Sequence, residues 1–270
     1  MFKAIIYNLK TPHKIPFKII KKITDLFERN KYRQDEFETT QNKTFNELNL
    51  DRVEAKKKLN IIKKKYIFLD REMSSEHELL FSAASLRPGI EIKNILEIGT
   101  FDGYNAFLLS KIFLNSRIDT IDLPDNDYDF KNFYNRRNSI ENFIKKRDDI
   151  LSKSDNINFF RMNSLKLINH KKKYDLIWID GAHGYPVVCI DIINSLNLLN
   201  EGGLILCDDV YLNLKYKNSD RMYNSLASYE TLNELEKQNL IFLKLIYKRI
   251  DPKYNSLKNE RKFVAIFRKI

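Results

Sequence analysis

The 270-residue chain is poor in cysteine, tryptophan and glycine, with two, one and seven of these residues. Cys189 and Cys207 are too few for a disulfide framework and are typical of a protein from a reducing compartment. The sequence has no apolar run long enough to cross a membrane, and its first residues lack the apolar stretch and cleavage site of a secretory signal. We therefore expect a cytoplasmic protein without a transmembrane segment.

Positive charge is concentrated near the start of the chain. Residues 1–72 hold 18 Lys and Arg against 10 Asp and Glu, whereas the other 198 residues hold 29 against 26. This excess indicates either attraction to an acidic partner or lysine-rich helices with solvated faces. No nucleic-acid motif of arginines and aromatics accompanies it, so we do not expect nucleic acid as a partner. We interpret residues 1–72 as a basic helical extension that covers the substrate or forms a contact in a homo-oligomer.

All seven glycines lie between residues 89 and 203, where short apolar runs alternate with amphipathic ones. Five of these runs predict strands: KNILEIGT, RIDTIDL, INFFRM, YDLIWID and GGLILCDD. Strands separated by helices predict a parallel sheet that is covered on both faces. After residue 210 comes a polar helix near 218–238, and then two β-rich runs that should pair as an antiparallel hairpin at the sheet edge.

The stretch ILEIGTFDGYNAFLLS, residues 95–110, has the pattern of a strand, a glycine turn and a helix. Gly99 and Gly103 form G-x-x-x-G, whereas a dinucleotide site needs G-x-G-x-x-G and a P-loop also needs a lysine. Acidic residues lie at or near the carboxyl ends of four predicted strands: Glu97, Asp122, Asp180, Asp208 and Asp209. Such a crevice repels phosphate and favours a cofactor with positive charge. S-adenosylmethionine, which carries an ammonium and a sulfonium, fits this description.

On these motifs, residues 74–210 resemble class I S-adenosylmethionine-dependent methyltransferases. The resemblance implies an α/β, Rossmann-like fold with seven strands in the order 3-2-1-4-5-7-6, the last antiparallel, and helices on both faces. It also implies a methyltransferase domain over 73–270, which we expect to keep its sheet and its cofactor without the extension. By position in the family's motifs, the implied cofactor-binding residues are Glu97, Gly99, Thr100, Phe101, Gly103, Tyr104, Asn105, Asp122, Asn163 and Asp180.

Asp122 would bind the ribose hydroxyls, Glu97 would face the methionine ammonium, and Asn163 would contact the adenine. Asn163 stands where many relatives have an aspartate, so its assignment rests on the weaker match.

The segment WIDGAHGY, residues 178–185, resembles D-G-x-H in metal-dependent O-methyltransferases of the macrocin type, which modify sugars. In such relatives an aspartate after strand four and polar residues after strand five hold Mg²⁺, which prefers oxygen ligands. The resemblance thus implies Asp180, Asp208 and Asp209 as metal ligands, and His183, close to Asp180, as the general base. The alternative is that Asp208 and Asp209 only cap a loop while Asp180 contacts the cofactor.

These features together predict an S-adenosylmethionine-dependent O-methyltransferase that acts on a hydroxyl of a sugar, a glycan or a small diol. Asp180 and His183 are the expected catalytic residues. Two alternatives from other classes stay open: an RNA methyltransferase that uses the basic extension, and a non-catalytic scaffold that binds the cofactor. A fold-level likeness does not name the substrate.

Overall fold

In the computed structural model of the protein, the described residues are 33–66, 76–132, 139–213, 225–250 and 262–270. The strands are β1 Asn94–Ile98, β2 Arg117–Asp122, β3 Ile157–Arg161, β4 Tyr174–Ile179, β5 Leu199–Tyr211, β6 Ile241–Tyr247 and β7 Lys262–Lys269. The α-helices are α1 Gln34–Glu47, α2 Arg52–Lys65, α3 Glu76–Ala84, α4 Tyr104–Ile112, α5 Tyr128–Asn132, α6 Ile140–Leu151, α7 Val187–Leu198 and α8 Ala227–Lys237. A 3₁₀ helix covers Ser164–Asn169.

The sheet has the order β3-β2-β1-β4-β5-β7-β6, as predicted. Strands β1 to β5 are parallel, and β7 runs antiparallel to both β5 and β6. Parallel strands that are buried on both faces are continuous apolar runs, and all four of the residues 95–98 in β1 are buried. The predicted fold class is therefore confirmed.

One apolar cluster covers each face of the sheet. On one face, Leu80 of α3 and Phe107 of α4 pack near Trp178 of β4. On the other face, Ile192 of α7 belongs to the same buried cluster as Ile177 of β4. The sheet is thus enclosed between helical layers, and its carboxyl edge is left for a ligand.

The described part of the basic extension packs into the first of these clusters. Phe45 of α1 and Ala55 of α2 have no exposed surface and lie in the cluster that contains Trp178. Asp51 caps the start of α2 by accepting hydrogen bonds from the backbone N–H of Val53 and Glu54, both at 2.9 Å. Residues 33–66 therefore share the core of the sheet, while the predicted boundary at residue 72 lies outside the described residues.

Several predicted elements differ in extent from the observed ones. Strand β5 runs on to Tyr211, so Asp208 and Asp209 lie inside it rather than after it. The helix predicted around 131–151 is observed as α6, with the short α5 before it, and 133–138 lies outside the described residues. The helix predicted near 218–238 is observed as α8, and 218–224 is likewise not described.

The two cysteines, Cys189 and Cys207, are both free. No described helix combines the length and apolar character that a membrane crossing requires.

Candidate active site

A cavity of about 460 Å³ opens at the carboxyl ends of β1, β2, β4 and β5. Open α/β sheets bind ligands at this edge, where the strand order reverses between β1 and β4, and a small-molecule site commonly measures about 300–1,000 Å³. The sequence-predicted residues on its wall are Gly99, Phe101, Asp122, Asn163, Asp180, His183, Asp208 and Asp209. Those not on its wall are Glu97, Thr100, Gly103, Tyr104 and Asn105.

The first glycine loop comes very close to the end of β4. A Cβ atom on Gly99 would lie 2.2 Å from the carbonyl oxygen of Asp180, and the backbone φ of Gly99 is +103°. Gly103 also has a positive φ, +77°, and starts helix α4. Only glycine fits at position 99, and the bare backbone leaves room at the cavity wall.

Asp122 anchors this loop and faces the cavity. One carboxylate oxygen, Oδ2, accepts a hydrogen bond from the backbone N–H of Phe101 at 2.8 Å, and Oδ1 accepts one from the N–H of Leu123 at 2.8 Å. Phe101 has a φ of 49°, in the left-handed region. The strained turn at Phe101 thus directs its backbone N–H to Asp122, the acid that the sequence analysis assigns to the ribose of the cofactor.

Glu97 lies behind the loop in a buried polar network. Its side chain accepts hydrogen bonds from Asn105 Nδ2 at 2.8 Å and from Thr120 Oγ1 at 2.5 Å. The hydroxyl of Thr120 is 2.6 Å from that of Thr100. Burial, opposed by these hydrogen bonds, raises the pKa of the Glu97 carboxyl to about 8. Contact with the cofactor's ammonium stays a prediction for Glu97, since the structure places its carboxyl off the cavity wall.

Tyr104 and Asn163 also have structural contacts of their own. The Tyr104 hydroxyl donates to Glu78 at 3.2 Å, which fixes α4 against α3. Asn163 lies on the cavity wall and caps the 3₁₀ helix by accepting a hydrogen bond from the N–H of Leu165 at 2.9 Å. The assignments of both residues to the cofactor stay predictions.

Asp180 and His183 form a pair on the wall of the cavity. Nε2 of His183 lies 3.4 Å from Oδ1 of Asp180, and the histidine side chain is 5% exposed against 35% for the aspartate. Burial alone would lower the pKa of His183, but the contact with Asp180 and the other nearby carboxylates raise it above its usual value. Burial and the Asp208 carboxylate raise the pKa of Asp180. Among the described residues, Nδ1 of His183 is buried and has no hydrogen-bond partner.

A β-bulge directs two adjacent carboxylates to one place. The pairing of β5 with β7 shifts register between Cys207 and Val210, and Asp209 has a φ of 52°. Neighbouring side chains of a regular strand point to opposite faces, and a bulge removes that alternation. Asp208 and Asp209 therefore meet at the cavity edge near Asp180.

Lys248 and Lys262 contact these two carboxylates directly. Nζ of Lys248 lies 2.5 Å from both Oδ2 of Asp208 and Oδ1 of Asp209, while Lys262 pairs with the second oxygen of Asp209. Burial alone would lower the pKa of Lys248, but the two carboxylates raise it well above its ordinary value. Lys248 is therefore a buried, charged ammonium beside the three acids.

This arrangement does not fit the predicted Mg²⁺ site at Asp180, Asp208 and Asp209. No cluster of three or more His, Cys, Asp or Glu side chains in the described ranges is arranged to hold a metal ion. The ammoniums contact Oδ2 of Asp208 and both carboxylate oxygens of Asp209, whereas Oδ1 of Asp208 has no hydrogen-bond partner in the described residues. A dication at these carboxylates would also be repelled by the ammonium of Lys248, which offsets part of its attraction to the acids.

The sequence analysis did not identify Lys248 and Lys262 as site residues, although a signal was present. In the predicted strand order, β6 ends and β7 begins at the edge of the sheet where β5 ends. A lysine directly after β6 and another at the start of β7 are therefore brought to the acids of β5. The sequence analysis treated the β6–β7 hairpin only as the edge of the sheet, and it therefore missed the pairing of these two lysines with Asp208 and Asp209.

Residues 96–210 match a family model described as a methyltransferase domain, and no protein with a curated description matches the chain. Similar solved structures include the O-methyltransferase TomG from Streptomyces achromogenes, involved in tomaymycin synthesis, in complex with S-adenosylmethionine. It is 16% identical, with 88% of this chain and 99% of that chain covered and a TM-score of 0.50.

A putative O-methyltransferase from Klebsiella pneumoniae is 14% identical, with 88% and 99% covered and a TM-score of 0.49. A putative caffeoyl-CoA O-methyltransferase from Staphylococcus aureus is 20% identical, with 93% and 98% covered and a TM-score of 0.47. The domain match and the observed strand order confirm the resemblance stated from the motifs: residues 96–210 form a methyltransferase domain, and the sheet has the strand order expected of class I S-adenosylmethionine-dependent methyltransferases.

Proposed function

We propose that the protein transfers a methyl group from S-adenosylmethionine to a hydroxyl oxygen of a small-molecule or glycan acceptor, such as a sugar or a small diol. The observation that carries this proposal is the Asp180–His183 pair on the wall of the same cavity as Asp122. The pair lies next to the close approach of Gly99 to β4. The candidate base, its carboxylate partner and the acid assigned to the ribose thus line one cavity.

The cofactor end of the cavity suits a cation-bearing nucleoside. The carboxylate of Asp122 already accepts backbone hydrogen bonds and has the lone pairs to accept more from ribose hydroxyls. The glycine loop offers backbone without a side chain at Gly99. When bound, S-adenosylmethionine supplies a methyl group on a sulfonium, and its sulfur leaves as an uncharged thioether.

The acceptor end needs a group that takes one proton. His183 is held by Asp180 through Nε2, and its Nδ1 has no partner within the described part of the chain. The acceptor oxygen forms a bond to the methyl carbon as the carbon–sulfur bond breaks, and the hydroxyl proton passes to His183. Asp180 then stabilises the imidazolium that results. The other residues of the cavity wall contribute mainly by holding the acceptor oxygen, the methyl carbon and the sulfur in line. Mg²⁺ has no step in this scheme, because the acids do not fit it.

Substitution Asp122→Ala tests the cofactor half of the proposal. Each charge-assisted hydrogen bond contributes about 1.5–3 kcal/mol, so S-adenosylmethionine should bind about 10- to 150-fold more weakly. Asp149→Ala, on the exposed face of α6, is the matched control and should bind normally. Calorimetric titration with S-adenosylmethionine and with NAD measures both proteins. A preference of the wild type for NAD would refute the cofactor assignment.

The acceptor half is tested by methyl transfer to a panel of sugars, diols and RNA. Turnover of sugars or diols supports the proposal. Turnover of RNA alone, with binding that weakens steeply as salt rises, would favour the nucleic-acid alternative. Cofactor binding without any turnover by the wild type would favour the non-catalytic scaffold.

A further inference from the structure

We propose that the ammonium of Lys248 takes the place of a divalent cation at the acidic cluster formed by Asp180, Asp208 and Asp209. The methyl transfer proposed above, on which this inference rests, then needs no metal ion. Lys248 acts as a positioning residue, because it holds the two carboxylates of the bulge at the cavity edge.

Ammoniums already contact three of the four carboxylate oxygens of Asp208 and Asp209. Nζ of Lys248 is 2.5 Å from an oxygen of each of Asp208 and Asp209, and the side chains of these acids are only 4% and 12% exposed. Lys262 contacts the other oxygen of Asp209. Mg²⁺ keeps several water ligands, and such a shell needs an open approach to the carboxylates. The ammonium instead makes direct contacts from inside the fold.

Lys248 is fixed by its backbone as well as by its charge. Its N–H donates to the carbonyl of Lys262 at 3.0 Å, and its own carbonyl accepts from the N–H of Glu76 at 2.9 Å. The Glu76 carboxylate is in turn held by Nε and Nη2 of Arg52, at 2.8 and 2.9 Å. Strand β7, helix α3 and helix α2 therefore place Lys248 without any ligand.

A metal-free site restricts the acceptor. An aliphatic hydroxyl with a pKa near that of water, about 15.7, lies about 9 pKa units above an ordinary histidine, whereas a phenolic hydroxyl at about 10 lies only about 3.5 above it. A bound metal would lower the first of these gaps, and an ammonium shared between two carboxylates lowers it far less. Among the hydroxyl acceptors covered by the proposed function, a phenol or a catechol-like diol therefore suits a metal-free site better than a sugar hydroxyl does.

The first test is a titration of the metal-free protein with Mn²⁺ alone, followed by the EPR signal of the free ion. The wild type should show no stoichiometric site. Lys248→Met, which removes the charge at similar length, should gain about one ion per chain because the acids are then less balanced. Lys244→Met is the matched control, since Lys244 lies in β6 and pairs with exposed Glu47 at 2.8 Å. A stoichiometric site in the wild type would overturn the proposal, as would unchanged ion binding in a folded Lys248→Met protein.

The second test measures methyl transfer in excess chelator. The wild type should keep its full rate on phenols and catechols. Lys248→Met should lose about 10²-fold in kcat and regain part of it with Mg²⁺, and Lys248→Arg should stay metal-independent. Loss of the wild-type rate in chelator would overturn the proposal that the reaction needs no metal ion. Chelator-resistant turnover of sugars alone would overturn the preference for a phenol or a catechol-like diol. A wild type that does not bind S-adenosylmethionine would instead defeat the proposed function, while the Mn²⁺ titration still identifies the cation.

Discussion

Asp180 and His183 both line the cavity but differ in the solvent exposure of their side chains. The aspartate side chain is the more exposed of the two, and its contact with Nε2 leaves Nδ1 as the atom of His183 without a partner in the described ranges. Because the surrounding carboxylates raise the pKa of His183, a larger share of the ring is protonated near neutral pH than in an ordinary histidine. The base form is recovered as the pH rises.

His183→Ala should lower kcat by about 10²–10⁴-fold and leave binding of S-adenosylmethionine intact, as expected on loss of a general base. The wild-type rate should rise with pH through a pKa above the usual 6.5 or so of histidine, and this limb should be absent in the variant. His170→Ala, an exposed histidine that does not line the cavity, is the control. Steady-state kinetics across pH measures all three proteins, and an unchanged profile in His183→Ala would remove the histidine from the reaction.

Glu97 gives a second effect of pH, on stability. Its pKa is about 8 in the folded protein against 4.5 ordinarily, so the folded state binds more proton than the unfolded state between these values. The stability from this group is fully present below about pH 4.5 and is lost as the pH rises to about 8. Glu97→Gln removes this loss, since its amide stays neutral. The gain of the variant over wild type should grow from about pH 5 to about pH 9, by up to about 1.4 kcal/mol per pKa unit.

Urea unfolding at the two pH values measures that gain. Asp149→Ala, outside the network, should show no such trend. An equal effect of Glu97→Gln at both pH values would mean that the carboxyl titrates normally.

At the scale of elements, the side chain of Gln41 hydrogen-bonds to backbone groups at the open edge of strand β6. Gln41 of α1 donates to the carbonyl of Tyr247 at 2.9 Å and accepts from the N–H of Tyr247 at 3.1 Å. The amide thus occupies the place of a neighbouring strand and blunts the exposed edge. The residue after Tyr247 is Lys248, so α1 also supports the strand end that enters the site.

Gln41→Ala should leave both backbone groups of Tyr247 without their partner in α1. A buried unsatisfied group costs about 1–3 kcal/mol, so the free energy of unfolding should fall by at least about 2 kcal/mol. Gln34→Ala, which removes only an exposed contact with Glu38 on the same helix, should change it little. Urea unfolding compares the two variants, and equal stabilities would show that Gln41 does not cover the edge.

The strands and helices followed from the sequence because alternating apolar runs and glycine turns are local signals, whereas the strand order followed from the resemblance to class I methyltransferases. Gly99, Asp122, Asp180 and His183 lie at strand ends, so their meeting at one cavity was also predictable. The partners of Asp208 and Asp209 were not predicted, because they depend on a bulge and on a pairing about 40 residues away along the chain. No pattern within residues 33–66 indicates that Gln41 reaches Tyr247.

For the whole molecule, the helices α1 and α2 contribute to the core of the sheet, while their role as a substrate cover or an oligomer contact stays a prediction. Phe45, Ala55 and Leu59 lie in the same cluster as Trp178 in the central strand β4. Burial of a large apolar side chain contributes about 1.5–3 kcal/mol, whereas a domain is stable by about 5–15 kcal/mol in total. The expectation that the domain keeps its sheet without this part stays a prediction, and the packing favours the opposite outcome.

A chain that starts at residue 73 should fail to fold stably. It loses Phe45 and Leu59 from the core and Gln41 from the edge of β6. The free energies that these three residues contribute together approach the whole free energy of unfolding of a domain. Phe45→Ala in the full chain should itself cost about 3–5 kcal/mol, while Val53→Ala, which is 58% exposed on α2, should cost little. Thermal unfolding of the three proteins beside wild type measures this order. A truncated protein that unfolds cooperatively at the wild-type temperature would return residues 33–66 to the role of a separate extension, and the contact of Arg52 with Glu76 would then be dispensable for the fold.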